Sequence, residues 1–142
     1  MRGGFTLVEI VIVMALMTGI MLLGIPFGAE TYRDYVLTST TRDIVSVLRR
    51  AETLALANAS SSYYGVTFRM DRVVLFKGMT YGSRETAHDE EHILVPSVTV
   101  IAPSEVVFSP LSGMPRIIAT ITVGNGFRSQ SIDVNAHGVI LW

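Results

Sequence analysis

Two stretches of the chain carry residues whose types and spacing suit chemistry. One is His88-Asp89-Glu90-Glu91-His92, which has the H-x-x-E-H spacing of some zinc proteases. Such a site needs both histidines on one face of a helix and a third ligand held nearby. The stretch is short, follows Gly82 and runs into Pro96, and the one remaining histidine, His137, lies in a turn-like segment. We therefore predict a chain that is not an enzyme, with no catalytic residue and no cofactor.

The carboxylates of this stretch have a second interpretation. Asp89, Glu90 and Glu91 offer the oxygen ligands that Ca²⁺ prefers. The simpler interpretation is a solvated acidic loop that binds no metal, and that is the one we favour.

The other stretch is a long apolar run, Phe5 to Phe27, that contains a single charged residue, Glu9. A helix of roughly 20 apolar residues is long enough to cross the hydrocarbon core of a bilayer. A carboxylate inside such a helix costs about 2.5–3.5 kcal/mol even on lenient scales, so Glu9 requires a reason.

The residues before Glu9 supply that reason. Met1-Arg2-Gly3-Gly4 is a short basic leader that ends in glycine, and Gly4-Phe5-Thr6-Leu7-Val8-Glu9 closely resembles the processing site of type IV prepilins and type II secretion pseudopilins. The resemblance covers residues 1–30, although a four-residue leader is at the short end for that family. It implies that a prepilin peptidase cuts after Gly4 and methylates the new amino terminus on Phe5. It also implies that Glu9 and Phe5 act in assembly.

The pairing of Glu9 with the amino terminus of Phe5 has two forms. Between chains, each Glu9 would attract the ammonium of a neighbour, and this head-to-tail contact repeats without closing, so that it generates a filament. Within one chain, Glu9 would neutralise its own amino terminus, or it would be protonated or reach the headgroups. The leader favours the filament.

One long helix is predicted from Phe5 to about Ala59. Gly24 and Pro26 predict a kink, because proline removes a backbone hydrogen bond, and the kink is either a bend used in packing or a static one. Beyond residue 29 an apolar stripe appears at helical spacing, which predicts an amphipathic half covered by a sheet. The stripe consists of Ile44, Val47, Leu48, Ala51, Leu54 and Ala55.

The rest of the chain predicts β-structure. We predict strands at Tyr63–Phe68, Val73–Lys77, Ile93–Ile101, Glu105–Phe108, Arg116–Val123, Phe127–Val134 and Val139–Trp142. Gly78–Glu91 is predicted to be a long polar loop, and Asn125-Gly126 a two-residue hairpin turn with positive φ at both residues.

A second resemblance lies in residues 106–142. Val107-Phe108-Ser109-Pro110 through Gly113, followed by Asn135-Ala136-His137-Gly138 and a terminal strand, is similar to the H-type minor pseudopilins and T-type fimbrial minor pilins. Those proteins pack a long helix on a β-sandwich of two small sheets. The predicted fold class is thus α+β: a long amino-terminal helix, its first half transmembrane, packed on an antiparallel sandwich.

The corresponding domains are a leader at 1–4, a transmembrane and assembly helix at 5–28, and a soluble pilin domain at 29–142. That domain comprises the amphipathic helix 29–59 and the β-rich part 60–142. The resemblance implies a single-pass protein of the inner membrane with its carboxy-terminal domain outside the cytoplasm, later part of a periplasmic or surface filament.

The predicted function is that of a structural subunit of a type II secretion pseudopilus or a type IV pilus-like filament. Among such subunits, the chain is most similar to the minor ones. Its implied partners are other pilins, the prepilin peptidase and an inner-membrane assembly platform with its ATPase. The alternative is a competence-type minor pilin that binds DNA through Arg69, Arg72 and Arg128. We favour it less, because residues 60–142 hold six basic and seven acidic residues, without the basic excess that phosphate contacts require.

The leader yields the first testable prediction. In the native host we expect cleavage between Gly4 and Phe5 and methylation of the Phe5 amino group. Mass spectrometry of the amino-terminal peptide measures both. Functional protein that still begins at Met1 would contradict the prediction.

Overall fold

A computed structural model of the chain describes residues 4–57 and 61–142, and for residues 22–29 it describes the backbone alone. The chain divides into two compact units, Met1–Tyr35 and Val36–Trp142, called unit 1 and unit 2 below. Helix α1, Leu7–Leu56, contributes residues to both units. The predicted helix start at Phe5 is therefore two residues early, and its predicted end at Ala59 lies outside the described residues.

Unit 2 folds the part of the chain that follows the helix into two antiparallel sheets. Within its described residues it holds one 3-10 turn, Tyr81–Ser83, and eight strands. The strands are β1 Tyr64–Phe68, β2 Arg72–Lys77, β3 Glu85–Ile93, β4 Thr99–Ile101, β5 Glu105–Phe108, β6 Ala119–Gly124, β7 Ser129–Val134 and β8 Ile140–Leu141. Sheet 1 has the order β3-β2-β1-β5 and sheet 2 has the order β4-β6-β7-β8.

The core of unit 2 is the apolar stripe of helix α1 together with residues from both sheets. Ile44, Val47, Leu48, Ala51 and Ala55 are each at most 3% exposed, which confirms the predicted stripe, and Leu54 is partly buried at its edge. Their partners in the core come from both sheets and include Val66, Val73, Val106, Phe108, Ile121, Ile132 and Val134. Each fully buried branched side chain contributes roughly 1.5–3 kcal/mol, so this stripe fixes where the sheets lie.

Two loops contact the end of helix α1: the connection between β5 of sheet 1 and β6 of sheet 2, and the turn between β7 and β8 of sheet 2. The amide of Leu111 donates to the carbonyl of Ala55 at 2.9 Å, which satisfies one of the last open carbonyls of the helix. A Cβ at Gly113 (φ +63°) would lie 2.9 Å from the Leu56 side chain. A Cβ at Gly138 (φ +86°) would lie 2.8 Å from the carbonyl oxygen of Gly113 and 3.1 Å from Oε1 of Glu52. Burial in this contact raises the pKa of the Glu52 carboxyl, against an opposing effect of Arg49.

This contact brings together the segments that carry the second resemblance. Gly113 ends the Phe-Ser-Pro segment after β5, and Gly138 ends the Asn-Ala-His-Gly turn before β8. The Oδ1 atom of Asn135 accepts hydrogen bonds from the amides of His137 and Val139, which shapes that turn. The two glycine-ended loops therefore meet at the last turn of the helix.

Two predictions for residues 78–101 are wrong. The predicted polar loop 78–91 contains most of β3, because a strand without an alternating apolar pattern gives no strand signal in the sequence. The predicted strand Ile93–Ile101 is a strand only at Ile93 and at Thr99–Ile101. Between them the chain turns, with the Val98 amide donating to the Val95 carbonyl at 3.0 Å.

The predicted hairpin at Asn125-Gly126 joins β6 to β7, but its turn type is wrong. The connection has four residues, 125–128, and of these only Gly126 has positive φ. The Oδ1 atom of Asn125 accepts hydrogen bonds from the amides of Phe127 and Arg128. These side-chain hydrogen bonds shape the turn, so a second residue with positive φ is not needed.

The predicted fold class needs a correction for the amino-terminal half of the long helix. Over the residues whose side chains are described, no helix is long and apolar enough to cross a membrane. This finding contradicts the predicted transmembrane half of the helix, and with it the predicted location as a single-pass inner-membrane protein. The predicted kink at Gly24 and Pro26 falls among residues 22–29, so it lies outside the described side chains.

The glycine contact at the helix end generates a stability prediction. Gly138→Ala forces a side chain into a left-handed backbone conformation and against Gly113, so we expect a loss of about 1–3 kcal/mol in the free energy of unfolding. Gly82→Ala is the control, since a Cβ there meets nothing within 4 Å, and we expect a change within about 0.5 kcal/mol. Urea unfolding of both variants measures the difference. Equal stabilities of the two variants would count against the contact.

Candidate assembly site

Helix α1 begins at a cap formed by Thr6. The backbone amide of Glu9 donates to Oγ1 of Thr6 at 3.3 Å, and the amide of Ile10 donates to the Thr6 carbonyl at 3.3 Å. Thr6-Leu7-Val8-Glu9 thus has the spacing of a capping box, in which a threonine precedes the helix and a glutamate occupies its third position. A carboxylate in the first turn also complements the positive end of the helix dipole.

The residues after the cap form an apolar surface on every side of the helix. Twelve large apolar side chains between Phe5 and Met21 are 49–80% exposed: Phe5, Leu7, Val8, Ile10, Val11, Ile12, Val13, Met14, Leu16, Met17, Ile20 and Met21. A helix that is apolar all around is normally covered by other helices or by lipid. These side chains are exposed, so the surface is one that a partner could cover.

Glu9 is the only charged residue in this segment, which we call the apolar helix, residues 5–21. Its side chain is exposed, one turn into the helix. Any partner that covers the apolar helix also surrounds this carboxylate with apolar groups, where an unpaired charge is costly. The site therefore favours a partner that brings a cation to Glu9.

The predicted processing position lies directly before this surface. Gly4, Phe5 and Thr6 precede the helix, and a Cβ at Gly4 would meet nothing within 4 Å. Phe5 is 80% exposed. The Gly4–Phe5 peptide bond thus lies in an exposed, non-helical segment, as a peptidase requires.

The three candidate calcium ligands are separated by ion pairs. On β3, Asp89 pairs with Arg84 at 2.8 Å, Glu90 with Arg50 at 2.7 Å and Glu91 with Arg72 at 2.8 Å. Arg50 lies on α1, Arg72 on β2 and Arg84 directly before β3, so each carboxylate is directed to its own cation. Among residues 4–57 and 61–142, no group of three potential ligands could hold a metal ion.

The histidines of the zinc-like spacing also lie on β3 rather than on a helix. Four residues apart on an extended strand, His88 and His92 are about 13 Å from each other. His88 lies 3.4 Å from Glu85, next to the acidic residues of the same strand.

The candidate DNA contacts lie at two separate positions. Arg69 and Arg72 flank the β1–β2 turn of sheet 1, whereas Arg128 lies in the β6–β7 connection of sheet 2. Arg72 is bonded to the carboxylates of Asp71 and Glu91, and these pairs raise its pKa. Arg69 lies over the ring of Tyr81, 4.8 Å from the centroid. Two of the three arginines thus share one turn, and the third belongs to another sheet.

The Thr6 cap is the functional element that the sequence interpretation missed. The signal was present, because a Thr-x-x-Glu pattern in front of an apolar run is a recognised helix start. Glu9 was interpreted through its charge alone.

Comparison of the chain with protein-family models, with curated proteins and with solved structures yields no match in any of the three.

The Thr6 cap leads to a testable prediction about the stability of the first helical turn. Thr6→Ala removes the hydroxyl that binds the Glu9 amide, at a cost of about 1 kcal/mol. We expect the amides of Glu9 and Ile10, which both donate to Thr6, to exchange with solvent about fivefold faster, measured by hydrogen exchange of the whole chain in non-ionic detergent. Thr6→Ser keeps the hydroxyl and serves as the control. Unchanged exchange in Thr6→Ala would exclude a capping role.

Proposed function

We propose that the chain is a structural subunit, of the minor type, of a type II secretion pseudopilus or a type IV pilus-like filament. It polymerises through the apolar helix. The observation that carries the proposal is that the apolar helix is exposed, has Glu9 as its only charged residue and follows Gly4 directly. Its role is non-enzymatic and consists of binding to neighbouring subunits.

The driving force is the burial of the apolar helix against the helices of neighbours. Each square ångström of apolar surface removed from water contributes roughly 25 cal/mol, so twelve large side chains supply a strong but non-directional attraction. Such an attraction alone does not determine how far one helix slides along another. A specific polar contact is needed to fix the axial register.

Glu9 supplies that contact. After cleavage behind Gly4, Phe5 carries an α-ammonium group, and the Glu9 carboxylate of one subunit pairs with the ammonium of the next. An isolated charge in this interface is costly and a paired one is not, so a single register is favoured. Because the two partners occupy different positions on the chain, the contact is head-to-tail and repeats into a helical filament.

The partners follow from this role. They are other pilins or pseudopilins that carry a similar helix, a prepilin peptidase that exposes and methylates Phe5, and an assembly platform driven by an ATPase. The DNA-binding alternative has no observation in its favour beyond the residues that suggested it. Arg72 is already bonded to two carboxylates, and Arg128 lies in a different sheet from Arg69.

The test is Glu9→Gln in the native host. Glutamine also fits the third position of a capping box, so the substitution keeps the helix start and removes only the charge. We expect the total amount of the protein to be unchanged and its incorporation beside the major subunit to fall by about thirtyfold or more. Loss of one partner of a buried charge pair typically costs 2–5 kcal/mol, which sets that scale.

The matched control is Glu30→Gln, which makes the same change on the same helix beyond the apolar helix. We expect it to assemble normally. The amount in the sheared filament fraction and the total amount should be measured in the same cells, with co-assembly scored rather than filament number. Wild-type incorporation of Glu9→Gln would refute the intermolecular pairing.

A further inference from the structure

Strand β3 forms one edge of sheet 1 and buries almost nothing. None of its nine residues, Glu85–Ile93, is a buried residue, whereas Val73–Phe76 of the neighbouring strand β2 are all buried. Strands of small antiparallel sheets are usually held by an apolar face. β3 lacks that face, so another interaction holds it in place.

The hydrogen-bond ladder between β2 and β3 is also incomplete. The two strands pair from Arg72–Ile93 to Leu75–Glu90, after which the register shifts and Lys77 pairs with Glu85. Residues 86–89 form a bulge at this shift. Such a bulge leaves backbone groups outside the ladder and weakens the attachment of the strand.

Ion pairs provide the remaining attachment. Three carboxylates on β3 bind cations of other elements: Glu85 binds Lys77 at 2.9 Å, Glu90 binds Arg50 at 2.7 Å and Glu91 binds Arg72 at 2.8 Å. A fourth carboxylate, Asp89, binds Arg84 at 2.8 Å, the residue directly before the strand. We call this set the β3 clasp. The pair of Glu90 with Arg50 is bidentate, with a second bond of 2.8 Å, and it ties the strand to helix α1.

One carboxylate oxygen of the clasp lacks a hydrogen-bond donor. Within the described residues, Oδ1 of Asp89 is buried and accepts no hydrogen bond. A buried acceptor without a donor costs free energy, which is recovered when the strand moves into water. This atom therefore favours release of β3.

We infer that β3 is an edge strand held by charge, which detaches from β2 while the rest of unit 2 stays folded, and that ionic strength controls the release. The inference does not depend on the filament proposal. Its physical basis is that three of the four pairs include a side chain more than a third exposed, and that salt screens such pairs. The apolar contacts of β1, β2 and β5 are insensitive to this screening.

Release of β3 uncovers the backbone of β2. The backbone groups of Arg72–Leu75 that face β3 would lose their partners. The side chains of Val73, Val74 and Leu75 are buried in the folded strand. A row of unpaired backbone groups on a flat apolar strand is a template for pairing with another strand. The ion pairs of the β3 clasp therefore keep this edge of β2 covered.

Hydrogen exchange of the whole chain in non-ionic detergent tests the inference. It is measured at about 0.01 M and about 1 M sodium chloride, where the Debye length falls from roughly 30 Å to roughly 3 Å. We expect β3 amides to exchange about tenfold faster at the higher salt, while amides of β1 and β5 change less than about twofold. Exchange of all three strands at one common rate at both salt concentrations would overturn the inference.

Four variants assign the effect to the clasp. Arg50→Gln removes the bidentate pair, so β3 should already exchange faster at low salt and respond less to added salt. Arg49→Gln is the matched control, because Arg49 neighbours it on the same helix and forms no ion pair with β3 in the described structure. Arg50→Glu should release β3 further, and Arg50→Glu combined with Glu90→Arg should restore protection. A salt response that is the same in Arg50→Gln as in the wild type would overturn the inference.

Discussion

The close packing of helix α1 with both sheets is the contact on which the rest of unit 2 depends. Leu48, Ala51 and Ala55 are fully buried, and the two alanines occupy little space, so the loops at the helix end can approach it closely. Gly113 and Gly138 complete this approach, since a side chain at either position would strike the helix or the other loop. Sheets of four short strands have little stability of their own, and here they obtain it by sharing one helix.

The sequence predicted those elements whose pattern reflects burial. The stripe of α1, the strands β1, β2 and β5 and the hairpin between β6 and β7 all carry apolar periodicity or a strong turn signal. Strand β3 was missed because none of its residues is buried, so the strand has no apolar periodicity along the chain. The membrane-spanning half of the predicted fold rested on the composition of residues 5–27, and the described helices do not meet the requirement.

The candidate assembly site was predictable for a different reason. A carboxylate within an apolar run is conspicuous without any structure, and Gly4 and Phe5 mark its context. The cap formed by Thr6 was missed because Glu9 already had an interpretation as a charge. These two roles are compatible, since a glutamate at the third helical position binds through its backbone amide and leaves its carboxylate exposed.

The meeting of the two glycine-ended loops at the helix end has a consequence for how the chain folds during synthesis. The helix leaves the ribosome early, whereas Leu111, Gly113 and Gly138, which close over its last turn, are made much later. Contacts between such distant parts of a chain slow folding, because a long loop must be closed before they form. Strands of sheet 1 can cover part of the stripe from Ile44 to Ala55 early, but the part that packs on sheet 2 stays uncovered until β6, β7 and β8 have been made. Apolar surface that is uncovered during that interval favours aggregation.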